Sequence, residues 1–212
     1  MQNKFSIIVS NTARSVCYLK ELKLNKLVPE NIIYVNDLSN NKISKLLKKR
    51  KFFFESSSLK VFNNKMIDKK ISSYLLNLKS KNIIYSGYPG IIIKEEELLN
   101  QKNLIHAHPG KLPEYKGSTT IYYSILKEKK IYCSTIILNK KIDGGKILTV
   151  KKYPLPKNIK LIDKGYDNLI RAKNIIYFLK NFKRKIFKKN IYSIPYYVIH
   201  PILRSIVLYK KK

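Results

Sequence analysis

Two of the three histidines in the chain, His106 and His108, stand two residues apart at the head of the run HAHPGKLPEYKG, residues 106–117. They follow a short apolar stretch, Asn103-Leu104-Ile105, that reads as a strand. Residues i and i+2 of a strand project from the same face. Two imidazoles therefore point together at a strand end, just before a Pro/Gly-rich loop. Open α/β sheets form their sites at such ends. Further along, Ile142-Asp143-Gly144-Gly145 offers a carboxylate on a glycine turn, after a second strand-like run over 131–138. Gly144 and Gly145 allow the loop to approach a ligand closely. A paired imidazole and carboxylate are the parts of a proton-transfer site, since an imidazole titrates near neutrality. The same three side chains also fit a metal-ligand pattern, in which His106, His108 and Asp143 hold zinc and activate a water. A purely structural H-x-H is the third reading.

The elements that must position these groups alternate along the chain. Residues 5–10 predict a first strand, and 12–23 a helix with Val16, Leu19 and Leu22 at helical spacing. A second strand fits 31–35, a basic amphipathic helix 41–50, a third strand 51–54, and a loop Ser56–Ser58. A helix over 65–79 carries Met66, Ile67, Ile71, Leu75 and Leu78 on one face. Strand 82–86 meets a break at Gly87-Tyr88-Pro89-Gly90, and a short helix over 94–100 precedes the strand ending at His108. Ser118 is placed to cap a helix over 119–129. Strand 131–138 and a returning strand over 147–152 make an antiparallel edge. A helix over 163–188 carries Leu169, Ala172, Ile176, Leu179 and Ile186. Pro195 and Pro201 interrupt the chain beyond this helix, and His200 reads as a helix-start or packing residue. The aromatic, apolar and finally basic tail over 196–212 packs back on the domain, pairs with a second copy as a homodimer, or lies on a membrane surface. The alternation predicts an α/β fold with a mainly parallel sheet covered on both faces.

Composition bounds the function. At 212 residues and 44% hydrophobic, the chain can bury one substantial core. No apolar run approaches the roughly 18 residues of a membrane span, and the N-terminus lacks a signal-peptide pattern. Cys17 and Cys133 have no metal-type spacing, which suits a reducing cytoplasm; Cys133 reads as a small core hydrophobe. The net charge of +31 is nearly all lysine, amid abundant Ile, Asn and Tyr. Readers of nucleic acid favour the planar fork of arginine. The charge is therefore attributed to an A+T-biased coding sequence, and nucleic acid is not the expected partner. Anionic ligands would still be attracted.

The run H-x-H-P-G-K-L-P-x-Y-K-G followed by D-G-G resembles the formyltransferase family that uses 10-formyltetrahydrofolate. The resemblance covers about residues 80–155, and it implies a Rossmann-like fold with a helical C-terminal tail. Residues 1–155 would be the catalytic domain and 156–212 an extension packed on it. Leu112-Pro113 sets the register that makes His108 the counterpart of the family's catalytic histidine, with Asp143 its aspartate. His106 stands where the family has an asparagine that donates to the formyl oxygen, a task an imidazole N–H can also perform. Gly87, Tyr88, Pro89, Gly90, Ile91 and Ile92 resemble the segment that receives the pterin, with Asn139, Lys140, Lys141 and Ile142 as its other wall. Lys116 and Gly117 match the family's Lys/Arg-Gly and are assigned to the substrate side.

The resemblance leaves the amine acceptor open among three kinds. Glycinamide ribonucleotide formyltransferases carry a glycine-rich phosphate loop after the first strand. That place here holds Asn11, Thr12, Arg14 and Ser15, which could meet phosphate at a helix N-terminus or simply cap the helix. Methionyl-tRNA formyltransferases carry a further C-terminal β-barrel, whereas this tail reads helical. An amino-sugar nucleotide is the expectation that remains. Two other readings stand beside it: the zinc hydrolase, and an inactive paralogue that binds RNA through its charge.

Overall fold

The computed structural model describes residues 4–36, 54, 56–64, 66–181 and 197–209. Among the described residues the fold is α/β, with a mostly parallel seven-stranded sheet and a separate two-stranded pair. The chain divides into two compact units, Met1–His106 with Leu138–Lys140, and Ala107–Ile137 with Lys141–Lys212.

The first unit holds β1 (Phe5–Ser10), α1 (Ala13–Leu24), β2 (Asn31–Val35), β3 (Ser58–Phe62), α2 (Lys69–Leu76), β4 (Asn82–Ser86), α3 (Glu96–Gln101) and most of β5 (Asn103–His108). All of its strand pairs are parallel; Ile7 stands opposite Ile32 on one side and Ile84 on the other. Strands covered on both faces read as unbroken apolar runs, and FSIIVS is buried at every position. Ile8, Ile33, Ile83 and Leu104 pack with Ile71 and Leu75 of α2. β1 lies between β2 and β4, so the chain order reverses between β1 and β4. Ligand crevices in open α/β sheets form outside the strand ends at that reversal, which here means the loops after Ser10 and Ser86.

Two expectations in this unit need correction. The strand described after β2 is Ser58–Phe62, so Ser58 of the expected loop is in a strand; of the strand expected over 51–54, Phe54 lies outside any strand, and residues 51–53, like the expected helix over 41–50, lie outside the described residues. Among the described residues β3 has β2 as its only neighbour, and Val61 is 48% exposed. An edge strand of this kind carries little apolar signal. The helix expected over 65–79 spans only Lys69–Leu76. It starts where Asp68 accepts a hydrogen bond from the Ile71 N–H at 2.8 Å, leaving Met66 and Ile67 ahead of the cap.

The second unit holds β6 (Gly117–Ser118), α4 (Ile121–Glu128), β7 (Ile131–Ile137), β8 (Ile147–Tyr153), an irregular turn over Ile162–Tyr166, α5 (Asp167–Lys180), β9 (Tyr197–Val198) and α6 (Pro201–Tyr209). β7 and β8 pair antiparallel, with Ile131 opposite Tyr153. α5 packs on both, and it buries Ala172, Ile175, Ile176, Phe178 and Leu179, while Leu169 is only half-buried. Its buried Asn174 donates to Thr135 Oγ1 at 2.7 Å and accepts from Tyr153 Oη at 3.1 Å, which satisfies a polar group in an apolar layer. The expected helix over 163–188 is shorter, and Ile186 lies outside the described residues.

Ser118 does not cap α4. It sits in β6 opposite Val198 of β9, and Thr120 directly precedes the helix. The tail therefore folds back on its own unit. The His200 side chain accepts from the Ile202 N–H at 3.3 Å, a cap at the start of α6. Among the described residues no helix is long and apolar enough to cross a membrane.

Candidate functional site

His108 ends β5 and is almost fully enclosed, at 2% exposure. Its Nε2 lies 2.7 Å from the Tyr115 carbonyl oxygen. A carbonyl only accepts, so this nitrogen carries the proton. Thr120 Oγ1 stands 3.2 Å from the same nitrogen and donates its own proton to the Pro109 carbonyl. The other nitrogen, Nδ1, faces Asp143 Oδ1 at 3.3 Å. The second carboxylate oxygen, Oδ2, accepts the Gly117 N–H at 2.9 Å. The carboxylate thus holds the ring on one side and a backbone amide on the other. Asp143 itself adopts φ 48, a left-handed conformation that Asp tolerates better than most residues.

The loop between these groups is tied down from outside. Leu112-Pro113 is a cis peptide. Leu112 N–H donates to Ser134 Oγ at 3.0 Å, and that hydroxyl donates to the Gly110 carbonyl at 2.6 Å. Glu128 accepts from Tyr115 Oη at 3.3 Å and Tyr132 Oη at 2.9 Å, with Lys111 Nζ at 3.6 Å. Burial works to raise the Glu128 carboxyl, but the bond from Tyr132 and the Lys111 charge outweigh it and hold it below the usual range. Tyr115, whose carbonyl receives His108, is anchored at its other end by this network.

His106 belongs to the first unit, on the same strand two residues earlier. Its Nδ1 lies 3.4 Å from the Tyr85 carbonyl, and its ring is tilted against the Tyr85 ring at 6.2 Å. The loop after β1 is engaged with its own surroundings. Asn11 donates to Asn36 at 3.0 Å and accepts from Tyr34 Oη at 2.6 Å. Thr12 caps α1, accepting from the Ser15 N–H at 3.2 Å. Ser15 Oγ accepts from the Ser10 N–H at 3.0 Å and donates to the Ser86 carbonyl at 2.9 Å. Arg14 donates to the Gly87 carbonyl and to Ser86 Oγ, so the two loops at the strand-order reversal are bound to each other. Tyr88 Oη accepts the Asn11 N–H at 3.3 Å.

The segment after β4 is irregular, with Gly90 at φ 75 and Ile92 exposed. Lys140 pairs with Glu96 at 2.8 Å and, with Asn139, belongs to the same unit. Lys141 and Ile142 belong to the second unit; the Lys141 carbonyl accepts the Gly144 N–H at 3.1 Å, and Ile142 is exposed. Lys116 is buried, next to the Gly117 that holds Asp143.

Sequence reasoning joins His108 with Asp143, and so does the structure. It misses Thr120, Gly110 and the Gly117 amide as partners of the pair. Gly110 lies in the quoted run, but nothing in its spacing marks it as a packing site. Among the described residues no three His, Cys, Asp or Glu side chains gather into a metal-holding group. Both ring nitrogens of His108 are directed at oxygen atoms of the protein.

Comparison with known proteins adds a third kind of observation. The profile of a family described as formyl transferase matches residues 4–163. A methionyl-tRNA formyltransferase from Buchnera aphidicola subsp. Acyrthosiphon pisum is 30% identical over 140 residues, 59% of this chain and 45% of that protein. A methionyl-tRNA formyltransferase from Helicobacter pylori is 30% identical over 92 residues, 43% of this chain and 30% of that protein. The matches thus span less than half the length of these curated relatives. Among solved structures, a sugar N-formyltransferase from a Shewanella species superposes with a TM-score of 0.62 at 19% identity, covering 92% of this chain and 76% of that one. A phosphoribosylglycinamide formyltransferase from Anaplasma phagocytophilum does so at 0.61 and 17%, covering 86% of each. At these identities the structures speak for the fold.

Proposed function

The chain belongs to the formyl transferase family, and from that premise we propose that it transfers a formyl group from 10-formyltetrahydrofolate to a primary amine. The observation that carries the reading is the enclosed His108 between Asp143 and the Tyr115 carbonyl. Acyl transfer to an amine needs a proton acceptor for the attacking nitrogen and a donor for the developing oxyanion. The formyl donor supplies an activated one-carbon unit and leaves as tetrahydrofolate. In this reading His108 Nδ1 takes the proton from the attacking amine, directly or through one water, and gives it back to the tetrahydrofolate nitrogen as the bond from that nitrogen to the formyl carbon breaks. Asp143 stabilises the resulting cation, and His106 donates to the oxyanion. Residues 1–155 would supply this machinery and 156–212 an extension of it.

The donor is assigned to Gly87–Ile92 and Asn139–Ile142. Irregular backbone with apolar side chains such as Ile92 suits a flat heterocycle with amide-like edges. For the acceptor, an amino-sugar nucleotide is our first reading. It is supported by the loop after β1, where Thr12 and Ser15 are engaged in capping and strand contacts instead of forming a glycine-lined phosphate cradle. The sequence match to methionyl-tRNA formyltransferases favours methionyl-tRNA as the second reading.

One experiment separates them. The purified chain is mixed with 10-formyltetrahydrofolate and, in turn, a nucleoside-diphosphate amino-deoxyhexose, glycinamide ribonucleotide and methionyl-tRNA, and tetrahydrofolate release is followed by absorbance. Release with the sugar nucleotide alone supports the first reading, and release with methionyl-tRNA transfers the assignment to the second. His108→Ala and Asp143→Asn should each lower turnover by about 10³-fold or more, in line with loss of general acid–base catalysis. Silence with all three acceptors, or native turnover in His108→Ala, would reject the proposal.

A further inference from the structure

The turn that joins the catalytic loop to α4 supplies two contacts to the site. The Gly117 N–H reaches Asp143 Oδ2, and the Thr120 hydroxyl stands against His108 Nε2. Its backbone is costly to hold in place. Gly117 adopts φ 118 and Thr119 φ 58, and a β-branched residue in the left-handed region is a steric outlier. Such a conformation persists only when its surroundings over-determine it.

The surroundings that do so come from about 80 residues further along the chain. β9 pairs with β6, with Tyr197 opposite Gly117 and Val198 opposite Ser118. The Ile199 N–H donates to Thr119 Oγ1 at 3.2 Å, and Tyr123 Oη donates to the Val198 carbonyl at 3.3 Å. One step on, Arg204 of α6 donates to Asp163 Oδ2 at 2.6 Å, while Asp163 Oδ1 accepts from Tyr122 Oη. The Arg204 guanidinium also lies 5.8 Å from the Tyr122 ring centroid. Tyr122 and Tyr123 form the first turn of α4. The tail therefore grips the segment over 117–123 at both of its ends.

We propose that residues 197–209 are a positioning element for the catalytic pair: through Thr119 and Arg204 they set the Gly117 amide, and with it the direction in which Asp143 faces His108. This rests on the reading of His108 and Asp143 as that pair. Thr119, Asp163 and Arg204 are positioning residues and touch no reacting atom. The tail thus acts on chemistry through one backbone N–H.

The test reads that N–H directly, in the full-length ¹⁵N-labelled chain without substrate. An amide donating to a carboxylate resonates downfield, because charge-assisted hydrogen bonds are short and strong. Arg204→Ala and Thr119→Ala should each move the Gly117 amide proton upfield, and Arg204→Lys and Thr119→Ser should restore it. In the turnover assay, with the acceptor that supports release, the alanine variants should lower kcat by about 10- to 100-fold, as small misplacements of catalytic groups do. KM for 10-formyltetrahydrofolate should stay near its native value. A Gly117 resonance that does not move in the alanine variants overturns the proposal, as does a loss expressed in KM alone. If Arg204→Ala fails to fold, Thr119→Ala, which removes a single hydroxyl and a methyl, decides the matter alone. Failure of the catalytic reading would show separately, as native turnover in His108→Ala, because the amide shift needs no activity.

Discussion

Replacing Gly110 by alanine should displace His108. A Cβ at this position would stand 2.6 Å from Thr120 Oγ1, 2.7 Å from His108 Nε2 and 3.0 Å from the Tyr115 carbonyl oxygen, where ordinary contact begins near 3.4 Å. The shortfall on the ring is 3.4 − 2.7, or 0.7 Å. The glycine cannot simply retreat. Its N–H donates to the His108 carbonyl at 3.0 Å, and its own carbonyl accepts from Ser134. The Thr120 hydroxyl can rotate away, at the loss of its bond to Pro109. The imidazole can move only by leaving Tyr115 or Asp143, since its two nitrogens face those groups. A misplacement approaching 1 Å costs on the order of 10²-fold in rate, so turnover should fall by about 10- to 100-fold. Overpacking of this kind also destabilises by about 1–3 kcal/mol. Tetrahydrofolate release and a thermal melt of the same preparation measure both effects. Native turnover together with a native melting temperature would show that the cage around His108 is not built as described.

Three further outcomes are expected. His106→Asn should retain much of the activity, because it restores the family's own donor, whereas His106→Ala should lose roughly 10²-fold in turnover; an alanine variant as active as the native chain would reduce His106 to a space-filler. The Tyr122 hydroxyl is pushed up to about 12 by burial and then by its bond to Asp163. Folding therefore holds this proton more tightly than the unfolded chain does, so its stabilising contribution is whole below about pH 10 and is lost as pH rises toward 12. Tyr122→Phe should flatten that alkaline decline in urea-unfolding free energy, and parallel curves for the two proteins would contradict the shift. Burial pushes the Cys133 thiol far up, while Cys17 is only partly buried. One thiol should react with an aromatic disulfide reagent in the native protein and two in denaturant; equal native rates for both would place Cys133 wrongly.

The parts of the fold legible in the sequence are those that depend on local pattern. The runs FSIIVS, NIIYV and NIIYS each place apolar residues without alternation, and each is a buried parallel strand. The weakly patterned β3 was not legible, because an edge strand is defined by the neighbour it pairs with, Ser58–Phe62 against Asn31–Val35. The same holds for Ser118, whose hydroxyl suggests a cap although its backbone pairs with Val198. Residue type reports what a side chain can do, and pairing over such a separation reports what the rest of the chain allows.

By itself the sequence determined that an imidazole at His108 and a carboxylate at Asp143 belong together, since a recognisable motif carries both. Only the tertiary structure decided which nitrogen faces which partner. Nε2 meets the Tyr115 carbonyl because a loop tied to Glu128 and Ser134 brings that oxygen back to the strand end. Nδ1 meets Asp143 because the Gly117 amide holds the carboxylate from its other side. Gly110 completes the enclosure by close packing, and Thr120 by its hydroxyl against Nε2. Contact of this kind leaves no periodicity, charge pattern or spacing in a one-dimensional chain. It arises when packing brings atoms from distant positions to within a few ångströms, where sterics and hydrogen-bond direction admit a single arrangement.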